Sequence, residues 1–219
     1  MANEFSHLFF SFYEHVDSGN HSSAKEISSK QDLLLKEMKE NGYDVGALLE
    51  DLKTQKTFQE KYKTVVVFTD GGVRNNHDNN LRSLSASAFA IYGDQKMLKH
   101  DATFIGDKIT LPTGETVDIN STLAEYHGLL QALLFVEKYK VKADRIIFVT
   151  DSASMVQHVS TKLPAQKIFR DYALDLKNKL YSFPNVELKH VPREHNKITD
   201  ALVNQLMDMY ERGEEFAIN

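Results

Sequence analysis

Two stretches of the chain share one pattern: an apolar, β-branched run that ends in Thr-Asp and then in small residues. The first is VVVFTDGG at 65–72, and the second is IIFVTDSA at 146–153. Such a run predicts a strand buried on both faces, as in a sheet covered by helices. A strongly helical segment separates the two runs, which favours parallel neighbouring strands. Asp70 and Asp151 would then lie side by side at one sheet edge; the alternative is that both are solvated loop residues.

The composition is that of a soluble globular protein and limits the available chemistry. The 219 residues, 42% of them hydrophobic, can form one ordinary domain with an extension or two small domains. No apolar run has the length of a membrane span, and the first residues do not resemble a secretory signal, so we expect a cytoplasmic protein with no membrane partner. The absence of cysteine excludes disulfides, zinc-thiolate sites and thiol nucleophiles.

The charge is distributed unevenly along the chain. The net charge is −5, which argues weakly against a general nucleic-acid binder. Residues 138–197, however, carry 12 Lys and Arg against 6 Asp and Glu. This basic segment can supply a phosphate-facing patch, or it can be a solvated helix face; the sequence leaves both interpretations open.

Residues 1–60 are predicted to be a small helical region of unknown role. An aromatic-rich first helix ends near 17–20, and Ser23 with Glu26 has the spacing of a capping box that opens a second helix. Asn41-Gly42 ends that helix, and Asp44 is the predicted N-cap of a third. The aromatic face of the first helix predicts packing on the next domain, self-association or a protein partner.

Residues 61–219 are predicted to form the second domain, in which strands and helices alternate. The order of elements predicts an α/β fold with a mixed five-stranded sheet, three antiparallel strands and then two parallel ones, flanked by helices. The predicted elements are the strand that ends at Asp70, a polar loop from Val73 to Arg82, a hairpin over 84–105, a smaller hairpin over 107–119 that extends the sheet, a helix over 121–139, a strand to Asp151, helices over 154–160 and 165–180, a strand over 186–191 and a final helix from Asn196.

Two further carboxylates occupy early positions in predicted helices. Glu125 lies near the start of the helix after the hairpins, and Asp200 near the start of the last helix. Either residue could simply favour the helix dipole. Together with Asp70 and Asp151, they make four carboxylates at strand ends and helix starts, a set that suits Mg²⁺, which prefers oxygen ligands. Two such ions, roughly 3.5–4 Å apart, can activate a water and stabilise the leaving oxygen in phosphodiester hydrolysis.

Four motifs in this order resemble the type 1 ribonuclease H family of the retroviral-integrase-like superfamily. They are TDGG at 69–72, AEY at 124–126, TDS at 150–152 and VPREHNKITDAL at 191–202. The last motif is especially similar to a bacterial and archaeal subgroup with a VPRExNxxAD ending. The resemblance covers about residues 63–212, and residues 1–60 fall outside it. It implies a ribonuclease H-like fold, two Mg²⁺ ions per site, with Mn²⁺ as an alternative, and an RNA–DNA hybrid as the partner.

The resemblance also implies a role for each carboxylate. Asp70 would bridge both metal ions, Asp200 would help to hold the ion that activates water, and Glu125 and Asp151 would hold the ion near the leaving 3′-oxygen. The implied reaction is endonucleolytic hydrolysis of the RNA strand, which leaves 5′-phosphate and 3′-hydroxyl ends. Family members often use a loop histidine ahead of the last aspartate; His195 is the expected counterpart here, with Arg193 as the other candidate.

The chain departs from the family where the hybrid is contacted. Ser121-Thr122 replaces a pair of asparagines, Ala153 replaces a glutamine, and there is no tryptophan and no basic protrusion. Ser and Thr can still hydrogen-bond a 2′-hydroxyl or a phosphate, whereas Ala cannot. The expected substrate-binding residues are Gly71, Gly72, Ser121, Thr122, Ser152 and Arg193, with the glycines allowing close approach of the backbone to the minor groove.

Two other functions are compatible with the same motifs. One is a non-catalytic module that binds nucleic acid or protein on a ribonuclease H-like scaffold. The presence of all four carboxylates argues against it, because an acidic cluster without metal is electrostatically costly. The other is a different nuclease of the superfamily that acts on DNA junctions or ends.

Overall fold

The computed structural model describes residues 1–74 and 83–214. It contains two compact units, Met1–Glu60 and Lys61–Asn219. In the described residues, no helix combines the length and the apolar character needed to cross a membrane. The predicted polar loop falls mainly on residues 75–82, which lie outside the described residues.

The first unit consists of three helices around a small apolar core. The helices are α1 (Ala2–Asp17), α2 (His21–Glu40) and α3 (Val45–Gln59). The buried residues of the core are Phe5, Phe9, Leu34, Met38, Val45 and Leu52. The predicted N-cap of α3 is confirmed, because the Asp44 carboxylate accepts a hydrogen bond from the Ala47 amide at 2.9 Å. The predicted capping box is wrong, since the N-cap of α2 is Asn20, three residues before Ser23.

The second unit contains the predicted mixed sheet of five strands, which are β1 (Lys61–Arg74), β2 (Leu84–Gly93), β3 (Lys96–Phe104), β6 (Lys142–Thr150) and β7 (Val186–His190). Their order in the sheet is β3-β2-β1-β6-β7. Strand β1 pairs antiparallel with β2 and parallel with β6, β2 pairs antiparallel with β3, and β6 pairs parallel with β7. The smaller hairpin does not extend this sheet as predicted, because β4 (Lys108–Thr110) and β5 (Thr116–Asp118) pair only with each other.

The helices of the second unit occur where the sequence predicts them. They are α4 (Ser121–Lys138), α5 (Ala153–Ser160), α6 (Lys167–Leu180) and α7 (Lys197–Glu211), and a short 3₁₀ helix, Arg193–His195, precedes α7. Strand β1 continues four residues beyond Asp70, to Arg74, so the polar loop does not begin at Val73. The Arg74 guanidinium holds this extension on α7 by donating to Asp208 at 2.5 Å and to the Asn204 side chain at 3.0 Å.

Helices α4 and α7 cover opposite faces of β1, and two adjacent glycines permit this. A Cβ at Gly71 would lie 2.2 Å from the backbone carbonyl of Ala124 in α4. A Cβ at Gly72 would lie 2.9 Å from the Val203 side chain in α7. Because successive strand residues point to opposite faces, the two helices approach the same strand from the two sides. Their first turns can therefore both reach the strand ends.

Candidate active site

The register of β1 and β6 brings Asp70 and Asp151 to one edge of the sheet. The last paired residues of the parallel ladder are Phe68 and Val149, and each aspartate lies two residues further along its strand direction. Two buried threonines, Thr69 and Thr150, occupy the intervening positions. The Asp70 carboxylate is itself almost buried, with 9% of the residue exposed, and accepts a hydrogen bond from the Gly71 amide at 2.7 Å.

Helix α4 carries Glu125 to the same edge through an unusually close backbone contact. Besides the contact at Gly71, a Cβ at Gly128 would lie only 2.4 Å from the carbonyl oxygen of Asp70. Both elements therefore need glycine where they meet. The N-cap of α4 is Asn120, which accepts a hydrogen bond from the Leu123 amide at 3.1 Å and fixes the start of the helix. Glu125 thus lies in the first turns of a helix pressed against the Asp70 backbone.

Burial and mutual repulsion perturb two of the carboxylates. Burial raises the pKa of Asp70 to about 6, and the neighbouring charge of Asp151 adds to this increase. Burial also raises the pKa of Glu125 to about 7, where a hydrogen bond from Ser152 opposes the shift and the charges of Asp70 and Asp151 reinforce it. The Asp200 charge raises the Asp70 pKa as well. These couplings show that the four predicted carboxylates share one electrostatic environment.

The other two carboxylates have internal donors. The Asp200 carboxylate, in the first turn of α7, forms an ion pair with Arg193. The Asp151 carboxylate accepts a hydrogen bond from the Asn196 side-chain amide at 2.9 Å. Both donors come from the segment that links β7 to α7.

The predicted substrate-binding residues occupy varied environments. Ser152 is the N-cap of α5, and its hydroxyl accepts a hydrogen bond from the Met155 amide at 3.2 Å. Ser121 is exposed and Thr122 half-buried at the start of α4, while His195 is exposed on the 3₁₀ helix. In the described part of the chain, these last three residues make no hydrogen bond or ion pair with the four carboxylates. Arg193 forms an ion pair with Asp200.

The donor set fits a hard divalent cation, since four carboxylates supply only oxygen ligands. Within residues 1–74 and 83–214, however, no three His, Asp or Glu side chains form a ready-made metal-binding group. The contacts of Asp200 with Arg193 and of Asp151 with Asn196 each engage only Oδ1, so the second oxygen of both carboxylates remains for a cation. At Asp200 such a cation would compete by charge with the Arg193 guanidinium.

Three residues that shape this edge were not identified as such from the sequence. They are Gly128, Asn196 and Thr199. A glycine in the interior of an otherwise apolar helix is itself a signal of close packing, so Gly128 could have been found. Asn196 and Thr199 were visible only as part of the last motif, because Asn196 bonds to Thr69 and Asp151, which are far away in the chain, and Thr199 acts through Asn196.

Comparison with known proteins identifies the fold. A family model described as reverse transcriptase-like matches residues 111–206. RNase H1 from Halobacterium salinarum is 22% identical, with a TM-score of 0.54 over 66% of this chain and 98% of that one. LC11-RNase H1, isolated from compost and solved with an RNA/DNA hybrid, is 20% identical, with a TM-score of 0.55 over 67% and 98% of the two chains.

A third similar structure is the N-terminal RNase H domain of a Mycobacterium tuberculosis protein, which is 20% identical with a TM-score of 0.55 and covers 69% of this chain and 98% of that domain. A comparison with curated protein sequences found no match. The chain therefore has the ribonuclease H fold.

Proposed function

We propose that the chain is a metal-dependent endoribonuclease that hydrolyses the RNA strand of RNA–DNA hybrids. The observation that carries the proposal is the convergence of Asp70, Glu125, Asp151 and Asp200 at one edge of a ribonuclease H fold, where their charges perturb one another. An acidic cluster of this kind is costly unless a cation or protons neutralise it. The RNA/DNA hybrid bound by the similar LC11-RNase H1 supports a hybrid as the substrate.

In this proposal the four carboxylates hold two Mg²⁺ ions, or Mn²⁺ in their place. Bound there, the ions supply Lewis-acid activation of water and stabilisation of the leaving oxygen. Asp70 would be the most central ligand, because its charge is coupled to those of Glu125, Asp151 and Asp200. The Arg193 guanidinium would compete with a metal for Asp200 and, once displaced, could contact a phosphate of the substrate. His195, exposed two residues beyond Arg193, would exchange protons with solvent near the cluster.

The test is cleavage of a uniformly labelled RNA strand in a hybrid duplex, with Mg²⁺, Mn²⁺ or a chelator. We expect internal cuts in the RNA alone, products with 5′-phosphate and 3′-hydroxyl ends, and no cleavage with the chelator. Labelled double-stranded DNA and a DNA junction serve as controls, because cleavage of these in preference to the hybrid would identify a different nuclease of the superfamily.

One observation favours a non-catalytic module as the second candidate. In the described residues the carboxylates do not stand ready as a metal-binding group, and Arg193 neutralises Asp200. An internal cation of this kind could substitute for the metal permanently. Tight hybrid binding without cleavage in any metal would support this function and contradict the proposed one.

A further inference from the structure

We call the sheet edge that carries Asp70, Glu125, Asp151 and Asp200 the acidic edge. Asn196 connects three parts of this edge through one side chain. The residue is only 1% exposed and lies immediately before α7. Its Nδ2 group donates to Asp151 Oδ1 at 2.9 Å and to the main-chain carbonyl of Thr69 at 3.0 Å. An amide nitrogen has two hydrogens, so each has one acceptor. The side chain therefore ties the start of α7 to the ends of both β1 and β6.

Thr199 supplies the donor for the oxygen of the Asn196 amide. The Thr199 hydroxyl is fully buried and donates toward Asn196 Oδ1 at 2.7 Å, with the Asn196 main-chain carbonyl at 3.1 Å as its other acceptor. Because the Asp151 carboxylate and the Thr69 carbonyl only accept hydrogen bonds, the NH₂ group must face them, and the Thr199 hydroxyl then stabilises this orientation from the oxygen side. A flipped amide would place its oxygen against a carboxylate oxygen and would leave both without a donor.

We propose that Asn196 is a positioning residue for the metal site and that Thr199 fixes its orientation. This inference rests on the proposed function. Asn196 holds Oδ1 of Asp151 and leaves the second carboxylate oxygen for a cation. Because the amide is neutral, it orients the ligand without competing for it by charge, unlike the Arg193 guanidinium on Asp200.

Asn196 also helps to position Asp200, because it lies directly before the helix that carries this carboxylate. The residue precedes α7 by one position, and Asp200 lies in the first turn of that helix. The hydrogen bonds to Thr69 and Asp151 therefore set the position of Asp200 relative to the strand ends. Groups that orient metal ligands typically contribute 10- to 100-fold to metal affinity or activity, and we expect Asn196 to act in this range.

The test is a calorimetric titration of the full chain with Mn²⁺ at pH 7.5. Asn196→Ala should weaken Mn²⁺ binding by roughly 10- to 100-fold. Thr199→Val, which keeps the shape but removes the hydroxyl, should weaken it by a smaller factor, and Thr199→Ser should restore the parental affinity. Leu180→Ala is the matched control, because it removes a fully buried apolar side chain from α6, a helix that carries none of the four carboxylates, and should leave the affinity unchanged.

Circular dichroism melts establish that each variant is folded at the temperature of the titration. With hybrid as substrate, Asn196→Ala should lower kcat at saturating Mn²⁺ and leave KM for the hybrid unchanged, as expected for a group that acts through a metal ligand. If Asn196→Ala does not fold, the Thr199→Val and Thr199→Ser pair decides the question.

The outcomes separate this inference from the proposed function. If the parent binds Mn²⁺ and the folded Asn196→Ala and Thr199→Val variants bind it equally well, the positioning role is wrong and the proposed function stands. If Leu180→Ala weakens binding as much as Asn196→Ala, the effect is one of general stability and the positioning role is again wrong. If the parent takes up no divalent cation, the proposed function fails and the inference fails with it.

Discussion

The acidic edge has two halves that carry their charge differently. Asp70 and Glu125 lie against the β1–α4 contact, where burial raises the pKa of Asp70 to about 6 and that of Glu125 to about 7. Among the described residues, neither forms an ion pair. Asp151 and Asp200 lie beside the segment before α7 and contact Asn196 and Arg193. We refer to these pairs as the buried pair and the partnered pair.

The difference shows how a metal-free acidic site can remain folded. In the buried pair, protons can neutralise part of the charge near neutral pH. In the partnered pair, an amide and a guanidinium from the chain stabilise the charged carboxylates. A divalent cation would therefore displace protons from one pair and Arg193 from the other, so the two pairs should respond differently to mutation and to pH.

The largest expected effect is the loss of cleavage on changing the centre of the buried pair. Asp70→Asn keeps the size of the side chain but removes a carboxylate whose pKa is raised by the charges of both Asp151 and Asp200. Single-turnover cleavage of hybrid in Mg²⁺ should fall by several powers of ten, as for other removed catalytic groups. Asp118→Asn, an exposed carboxylate on β5, is the control and should cleave normally. Near-parental cleavage by a folded Asp70→Asn protein would remove the two-metal mechanism from consideration.

The buried pair should also make the stability of the metal-free protein depend on pH. A raised pKa means that the folded state binds the proton more strongly, so this stabilisation is complete below about pH 4 and is lost as pH rises through about 6 to 7. A shift from 3.8 to about 6 for Asp70 corresponds to about 3 kcal/mol.

Urea unfolding in a chelator between pH 4 and 8 measures this effect. Relative to Asp70→Asn or Glu125→Gln, the parent should lose stability as pH rises, and each variant should be more stable than the parent at pH 8. If the free energy of unfolding changes with pH in the same way for parent and variants, the pKa values of Asp70 and Glu125 are not raised in the folded state. That result would contradict the proposed protonation of the buried pair.

A smaller effect is expected for the histidine beside the partnered pair. His195→Ala should lower single-turnover cleavage by roughly 10- to 100-fold, at or below the lower limit of the roughly 10²–10⁴-fold typical of a proton-transfer group, because the residue is exposed and water can replace it. His100→Ala, on the exposed edge strand β3, is the matched control. A loss as large as that of Asp70→Asn would place His195 among the indispensable groups.

Arg193→Gln tests the partnered pair directly. The ion pair with Asp200 is partly exposed, with 73% of the Arg193 side chain accessible, so its contribution is modest. Removing the guanidinium should tighten Mn²⁺ binding by about two- to fivefold, because Mn²⁺ then has no competing positive charge at Asp200. Arg145→Gln, which breaks the ion pair with Glu187 on β7, should leave Mn²⁺ binding unchanged. Weaker binding by Arg193→Gln would show that the guanidinium assists the site instead of competing for it.

The smallest effect is expected on removing residues 1–60. All four carboxylates lie in the unit Lys61–Asn219, so a chain of residues 61–219 should fold. It should keep the raised pKa values of the buried pair and the contacts of the partnered pair. Its turnover at saturating hybrid should match that of the full chain, although KM can increase. If the truncated protein folds but loses turnover, residues 1–60 take part in catalysis.

Much of this arrangement could be predicted from the sequence because it depends on local patterns. The two apolar runs that end in Thr-Asp predicted adjacent parallel strands, and the ladder from Val65 to Phe68 with its partners on β6 confirms this. Element order then predicted the mixed sheet. Ser23 was mistaken for an N-cap because Asn20, three residues earlier, offers the same chemistry.

The asymmetry between the two pairs could not be predicted, because it arises from contacts between distant parts of the chain. The Asn196 hydrogen bond to the Thr69 carbonyl joins residues 127 positions apart. The close approach of α4 to β1 depends on Gly71 and Gly128 together, and neither glycine alone specifies it. The sequence identified which carboxylates meet, whereas their protons and partners depend on the packed structure.

The most direct test of the account is the number of protons released when Mn²⁺ binds to the parent at pH 6.5, measured by calorimetry in two buffers of different ionisation enthalpy. Glu125 and Asp70, with pKa values of about 7 and about 6, should be partly protonated there, so metal binding should release about one proton. Glu125→Gln should reduce this number, and release from the parent should decline toward pH 8. Failure to bind Mn²⁺, or binding that releases no proton at either pH, would contradict the account.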